Sequence, residues 1–226
     1  MFIASDTDIG KKRSENQDRV HAEFLADNVA VAVVCDGMGG ASSGGVASQL
    51  AIDAVVKRIK ENFRKDMKPN SIRNLMLTSV HYANTIVYGK SKEDIDKNGM
   101  GTTCVAALVV DKTVYMVSVG DSRGYLLTKD GIAQITKEEA KNHHMRNVIT
   151  KAVGVESDVE VDYFELEEND NFAVLLCSDG LTNYCTDNMI YETVFGNNLD
   201  EAIKQLIAFA NECGGKDNIT AAVIAK

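Results

Sequence analysis

Aspartates at the ends of apolar runs are the residues of this chain best suited to chemistry. Val29 to Cys35 leads into Asp36-Gly37-Met38-Gly39-Gly40, Val114 to Val119 into Gly120-Asp121-Ser122, and Phe172 to Cys177 into Ser178-Asp179-Gly180. A fourth, Asp217 in Gly214-Gly215-Lys216-Asp217-Asn218, precedes the strand-like run Ile219 to Ala225. Strands aim carboxylates accurately and glycine lets backbone and ligand approach closely, but carboxylates gathered without a cation repel one another. The pattern therefore predicts positive charge among them. All-oxygen ligation suits Mg²⁺ or Mn²⁺ rather than zinc or copper, which draw on Cys and His. Two such ions, held roughly 3.5–4 Å apart by shared carboxylates, activate a bridging water and neutralise a phosphoryl group during in-line displacement. Hydrolysis of a phosphate ester is thus one use of the acidic set. A phosphate also needs a clamp outside the ions, and Arg13, in Gly10-Lys11-Lys12-Arg13-Ser14-Glu15-Asn16-Gln17-Asp18, has the permanent charge and bidentate geometry for it.

The elements that must position these residues are legible from periodicity. Val46, Leu50, Val55, Ile59 and Phe63 recur at helical spacing and predict a helix over about 45–64. A second helix is predicted over about 71–89, with Ile72, Leu75, Met76, Ser79, Val80 and Ala83 inward. From 102 to 127 the pattern becomes strand-like: Thr102 to Val110, an Asp111-Lys112 turn, Thr113 to Val119, then Gly124 to Leu127. Asp130-Gly131 signals a hairpin into Ile132 to Ile135. Val159, Val161 and Tyr163 alternate with acids, as in a strand buried on one face. Asn198 with Glu201 opens a last helix through Ile203, Leu206, Ile207 and Ala210, and Gly214 caps it. Strands gather in hairpins and helices come in blocks, so regular βαβ alternation is excluded and an antiparallel sheet assembly covered by helices is expected.

Bulk properties narrow the function classes. A chain of 226 residues, 45% of them hydrophobic, can bury the core of one domain spanning 1–226. Its formal net charge of −9 disfavours nucleic acid, because the basic stretch Lys57 to Lys68 is interrupted by Glu61 and Asp66. No apolar run approaches the roughly 20 residues of a membrane helix, and no signal-peptide h-region follows Met1. Five cysteines, an odd number without CxxC spacing, suit a reducing cytoplasm, with Cys35, Cys104 and Cys177 serving as core filler.

The motifs, taken in order, resemble those of the bacterial metal-dependent Ser/Thr protein phosphatases of type 2C. Gly10-x-x-Arg13-x-x-Asn16-x-Asp18 is similar to the opening motif of that family and Asp36-Gly37-Met38-Gly39-Gly40 to the second. Gly101-Thr102-Thr103, Gly120-Asp121-Ser122-Arg123, Ser178-Asp179-Gly180-Leu181 and Asp217-Asn218-Ile219-Thr220 follow in the family's order. The resemblance implies an α+β fold, a central β-sandwich of two antiparallel sheets flanked by helices. It implies that Asp36 bridges two Mn²⁺ or Mg²⁺ ions while Asp179 and Asp217 complete the first. The Gly37 carbonyl would ligate the second, with Asp18 reached directly or through water, and Asp121 with Asp179 would hold a weaker third ion. Arg13 would bind substrate phosphate. The implied activity is hydrolysis of phosphoserine and phosphothreonine in phosphorylated proteins, opposite a cognate Ser/Thr kinase, by a cytoplasmic monomer.

The chain also departs from that pattern. Ala41 stands where many bacterial members have a histidine that serves as proton donor to the leaving group, and Gly45 replaces a commonly acidic residue. Gln17 occupies a position that is Glu in many relatives. A flap at about 135–154 is shortened, keeping Glu138-Glu139-Ala140 with His143, Arg146 and Asn147. These departures motivate an alternative, a catalytically weak or inactive phosphoprotein-binding member of the same fold. Local structure offers bland readings too: an Asx turn at Asn16 to Asp18, an Arg13–Glu15 surface pair, and a brace for the Gly120-to-Gly124 turn at Asp121. Gly120-Asp121-Ser122-Arg123-Gly124 matches a serine-hydrolase elbow, but that fold needs a histidine late in the chain and none follows His144.

Overall fold

A computed structural model describes residues 1–39, 43–93, 99–137 and 151–226. Among these residues the chain forms two antiparallel sheets packed face to face, with helices on both outer sides. The strands are β1 (Phe2–Asp8), β2 (Asp18–Ala26), β3 (Val29–Met38), β4 (Gly101–Thr102), β5 (Cys104–Val110) and β6 (Thr113–Val119). They continue as β7 (Arg123–Thr128), β8 (Gly131–Gln134), β9 (Asp162–Glu167), β10 (Ala173–Cys177) and β11 (Ile219–Ala225). The helices are α1 (Ser43–Asn62), α2 (Pro69–Glu93), α3 (Asp179–Thr182), α4 (Asp187–Val194) and α5 (Leu199–Glu212). One sheet has the order β1-β11-β10-β7-β8; the other runs β2-β3-β5-β6-β9, with β4 added to the end of β3.

Alternation decides how the layers stack. In β3, Val29, Val31, Val33 and Cys35 face α1 and α2, while Ala30, Ala32 and Val34 face the opposite sheet. Val105, Ala107, Met116, Val174, Leu176, Ala222 and Ile224 complete that inner layer. Covered on both faces, β3, β5, β10 and β11 read as continuous apolar runs, which is how they are recognised in the sequence. The outer face of the β1-β11-β10-β7-β8 sheet is covered by α3, α4 and α5 through Leu181, Ile190, Ile203, Leu206 and Ala210. Asn198 caps α5 by accepting from the Glu201 N–H at 3.1 Å, as its sequence signature predicts.

Most predicted elements lie within two or three residues of those observed, and the strand predicted around Val159 is displaced. β9 begins only at Asp162, where it pairs with Ser118 of β6. The preceding segment is held as a loop because Asn84 of α2 accepts from the Gly154 N–H at 2.7 Å and donates to the Glu156 carbonyl at 3.1 Å. Val159 is buried against the helical layer without being in a strand. Asp36 also lies inside β3 rather than after it, since the strand continues through Gly37 and Met38 to pair with β4. Asp179 is the first residue of α3 rather than part of an open turn.

Candidate metal centre

All five predicted aspartates lie on one edge of the sandwich, each carried by a different piece of backbone. Asp18 and Asp36 are direct cross-strand partners in the β2–β3 ladder. Asp179 follows β10, Asp217 stands just before β11, and these two strands are hydrogen-bonded neighbours in the facing sheet. Asp121 sits in the turn between β6 and β7. The crowding is electrostatically evident at Asp36. Its carboxyl is pushed well above the usual carboxylate range, first by burial and then by the negative fields of Asp18, Asp179, Asp217 and Asp121.

Asp18 is 1% exposed, and burial pushes its carboxyl up to about 6. Hydrogen bonds from Thr220 and Ser178 oppose that rise. Both hydroxyls donate to the same oxygen, Oδ2, at 2.6 and 2.8 Å. Because the Thr220 hydroxyl donates to Asp18, it must accept from Thr7 at 2.6 Å, and Thr7 in turn accepts from Asn16 at 2.9 Å. The other oxygen, Oδ1, is buried and has no hydrogen-bond partner among the described residues. An orphaned carboxylate oxygen next to the crowded Asp36 suits a cation.

The surrounding backbone is fixed by residues to which the sequence assigned no chemistry. Thr103 Oγ1 accepts from the Asp36 N–H at 2.9 Å, the Thr103 N–H donates to the Asp36 carbonyl at 2.8 Å, and Thr102 Oγ1 donates to the same carbonyl at 2.9 Å. Ser122 is buried and bonded to Thr103 at 2.7 Å, which makes it a brace and not a nucleophile. Asn218 ties the Arg13-to-Asp18 segment to the start of β11. Its amide donates to the Ile9 and Glu15 carbonyls at 2.9 and 3.0 Å, and its carbonyl accepts from the Gln17 N–H at 2.8 Å. Gly37 and Gly180 are obligatory, because a Cβ at the first would fall on the Gly44 carbonyl and at the second on the Asn218 carbonyl.

Arg13 pairs with Asp217 at 2.7 Å and not with Glu15. Its guanidinium is stabilised first by that hydrogen bond, with further attraction from Asp36 and Asp179. The Asx turn does form, since Asn16 Oδ1 accepts from the Asp18 N–H at 3.0 Å, and it directs the Asp18 side chain into the cluster. Turn and site are thus compatible uses of the same residues. Among the described residues no three His, Cys, Asp or Glu side chains are contracted into a ready coordination shell. The Asp217 carboxylate is instead held by Arg13, and Asn183 reaches Asp179 at 3.3 Å. The donor set is all oxygen and strongly negative, which fits Mg²⁺ or Mn²⁺. Ala41 and most of the predicted flap, including Glu138, Glu139, His143, Arg146 and Asn147, lie outside the described residues.

Residues 10–222 match the family model for protein phosphatase 2C. The chain belongs to the protein phosphatase 2C family. It is 35% identical to the serine/threonine phosphatase stp of Listeria monocytogenes serotype 4b, over 99% of this chain and 95% of that protein. The S. agalactiae serine/threonine phosphatase has a similar structure, with a TM-score of 0.89 at 29% identity, over 100% of this chain and 99% of the other. The Mycobacterium tuberculosis serine/threonine phosphatase gives 0.87 at 30% identity, over 98% and 97%. The antiparallel sandwich with outer helices is therefore the 2C phosphatase fold, and metal dependence comes with the family. No helix among the described residues is long and apolar enough to cross a membrane.

Proposed function

We propose that this 2C-family protein serine/threonine phosphatase hydrolyses phosphoserine and phosphothreonine with two divalent cations, Mn²⁺ or Mg²⁺, held at the aspartate cluster. Asp36 would stand between the two ions, with Asp179 and Asp217 on the first and the Gly37 carbonyl and Asp18 on the second. Asp121 with Asp179 is the candidate for a third, weaker position. The observation that carries this reading is the convergence of four carboxylates, Asp18, Asp179, Asp217 and Asp121, around Asp36, beside the exposed guanidinium of Arg13. When bound, the ions supply a water acidic enough to attack phosphorus at neutral pH and offset charge developing on the phosphoryl oxygens.

The chain's own residues have separate tasks. Arg13, 54% exposed at its side chain, must turn from Asp217 to the incoming phosphate, and its fork suits two phosphate oxygens. Ser178 and Thr220 hold one oxygen of Asp18, which leaves the other free to face a cation. Thr102 and Thr103 hold the Asp36 backbone, so its carboxylate does not have to be reorganised on binding. The catalytic unit is read as one domain over 1–226, acting as a cytoplasmic monomer on proteins phosphorylated by a cognate Ser/Thr kinase. The five free cysteines fit a reducing compartment.

The test is phosphate release from a phosphothreonine peptide with Mn²⁺, with EDTA, and with Asp179→Asn in Mn²⁺. Release should require both metal and Asp179, while circular dichroism of the variant stays unchanged. Full activity of Asp179→Asn would overturn the site assignment. Peptide binding without release at high Mn²⁺ would favour the non-catalytic alternative.

A further inference from the structure

The mouth of the site has a positive edge whose lysines have no carboxylate partner among the described residues. Segment 10–13 and the loop 214–217 lie side by side, with the Lys11 N–H donating to the Gly215 carbonyl at 2.7 Å. Gly215 has φ +51°, and a Cβ there would stand 2.9 Å from the Lys11 nitrogen, so the close approach depends on glycine. Lys11, Lys12 and Arg13 are exposed on one side of this junction and Lys216 on the other. The Lys216 N–H donates to the Tyr184 hydroxyl at 3.3 Å, which fixes where that side chain starts.

The ammonium groups of Lys11, Lys12 and Lys216 form no ion pair or hydrogen bond among the described residues. Several other surface lysines find carboxylates, Lys60 with Glu23 at 2.9 Å, Lys112 with Asp170 at 2.9 Å, Lys137 with Asp162 and Lys151 with Glu160 at 2.6 Å, so what marks these three is their grouping beside Arg13. Two acids near the edge are committed elsewhere. Asp8 accepts from the Gly10 N–H at 2.8 Å and from Asn211 at 2.9 Å, and Asp217 is held by Arg13. In a chain of net charge −9, Lys11, Lys12 and Lys216 beside the exposed Arg13 concentrate positive charge at this edge.

We propose that Lys11, Lys12 and Lys216 form a specificity edge that binds anionic groups, carboxylate or phosphate, flanking the phosphorylated residue of a protein substrate. This rests on the phosphatase reading and adds the substrate class to it. Arg13 takes the phosphate that is to be removed. The lysines, anchored by backbone and free at their tips, attract the neighbouring acidic side chains, so the effect falls on substrate capture and is screened by salt. The same lysines offset part of the repulsion that the carboxylate cluster exerts on a phosphorylated peptide.

The experiment compares three phosphothreonine peptides of equal length with Mn²⁺: one with aspartates flanking the phosphoresidue, one with neutral flanks, and one with a second phosphothreonine. Each is assayed with the wild-type protein and with Lys11→Gln/Lys12→Gln/Lys216→Gln, alongside p-nitrophenyl phosphate, which has no flanks. The expected result is a kcat/KM advantage of about tenfold for the aspartate-flanked peptide, set by a few exposed ion pairs and carried by KM. High salt and the triple substitution should each remove it, while turnover of the neutral peptide and of p-nitrophenyl phosphate is unchanged. An advantage confined to the doubly phosphorylated peptide, and lost in the triple variant, assigns the edge to phosphate. Equal kcat/KM for all three peptides in the wild type, or an advantage that survives the triple substitution, overturns the proposal. Absence of release from every substrate by the wild type would refute the phosphatase reading and this proposal with it.

Discussion

Replacing Asp18 with Asn should stabilise the metal-free protein while damaging the enzyme. Asp18 is buried, its Oδ2 accepts from Ser178 and Thr220, and its Oδ1 has no donor. An asparagine placed with its carbonyl on the two hydroxyls keeps both bonds and turns its amide toward Asp36, where two carboxyls now oppose each other. The wild-type carboxyl lies at about 6 rather than 3.8 because burial penalises its charged form. Well below pH 3.8 it is neutral in folded and unfolded chains alike and costs nothing. As pH rises from there through about 6 the unfolded chain ionises freely while the folded protein must bury the charge, so stability is lost over that window. The difference corresponds to about 3 kcal/mol at neutral pH. For a domain of this size the melting temperature should rise by roughly 6–12 °C on substitution.

Thermal unfolding of EDTA-treated wild type and Asp18→Asn at several values from acid to neutral pH checks this. The gain should be largest near neutrality, vanish below about pH 3, and shrink in saturating Mn²⁺, because the wild-type carboxylate then has its cation. A variant that melts lower than wild type at neutral pH without metal would refute the reasoning. It would show that the hydroxyl network around Asp18 outweighs the cost of burying its charge.

Three further outcomes are expected. Saturating Mn²⁺ at about 100 times its dissociation constant should add about 2.7 kcal/mol to wild-type stability, and an unchanged melting temperature would count against a binding cluster. Gly180→Ala should lose activity and several degrees of melting temperature, because its Cβ would fall on the Asn218 carbonyl and displace Asp179; full peptide turnover or an undisturbed site in a crystal structure of the variant would refute this. Arg13→Ala should raise KM for phosphopeptide by about tenfold or more, as expected when a charged hydrogen-bond partner of the substrate is lost, with metal-induced stabilisation retained. An unchanged KM would remove Arg13 from phosphate binding.

Local signals made much of this protein readable. The glycine-flanked aspartates, the helical stripe from Val46 to Phe63 and the Asn198 cap each depend on residues within a few positions of one another, where backbone geometry makes spacing informative. The order of the motifs carried the family, and with it the fold. Where a local pattern competed with a distant partner it misled. The alternation around Val159 looks like a strand, but Asn84, about 70 residues earlier, holds that segment as a loop. The Arg13–Glu15 pair that proximity offered as the bland alternative does not form, and Arg13 meets Asp217.

Sequence by itself determined which groups could bind a cation or a phosphate, because those capacities belong to the side chains. Tertiary structure alone decided their surroundings. Ser178 and Thr220 reach Asp18 across separations of 160 and 202 residues, and Asn218 joins the first motif to the last. The raised carboxyls of Asp18 and Asp36 and the grouping of Lys11, Lys12 and Lys216 at the mouth come from the same packing. No residue type encodes them, since burial and electrostatic field depend on which strands become neighbours, and only the closed sandwich makes that choice.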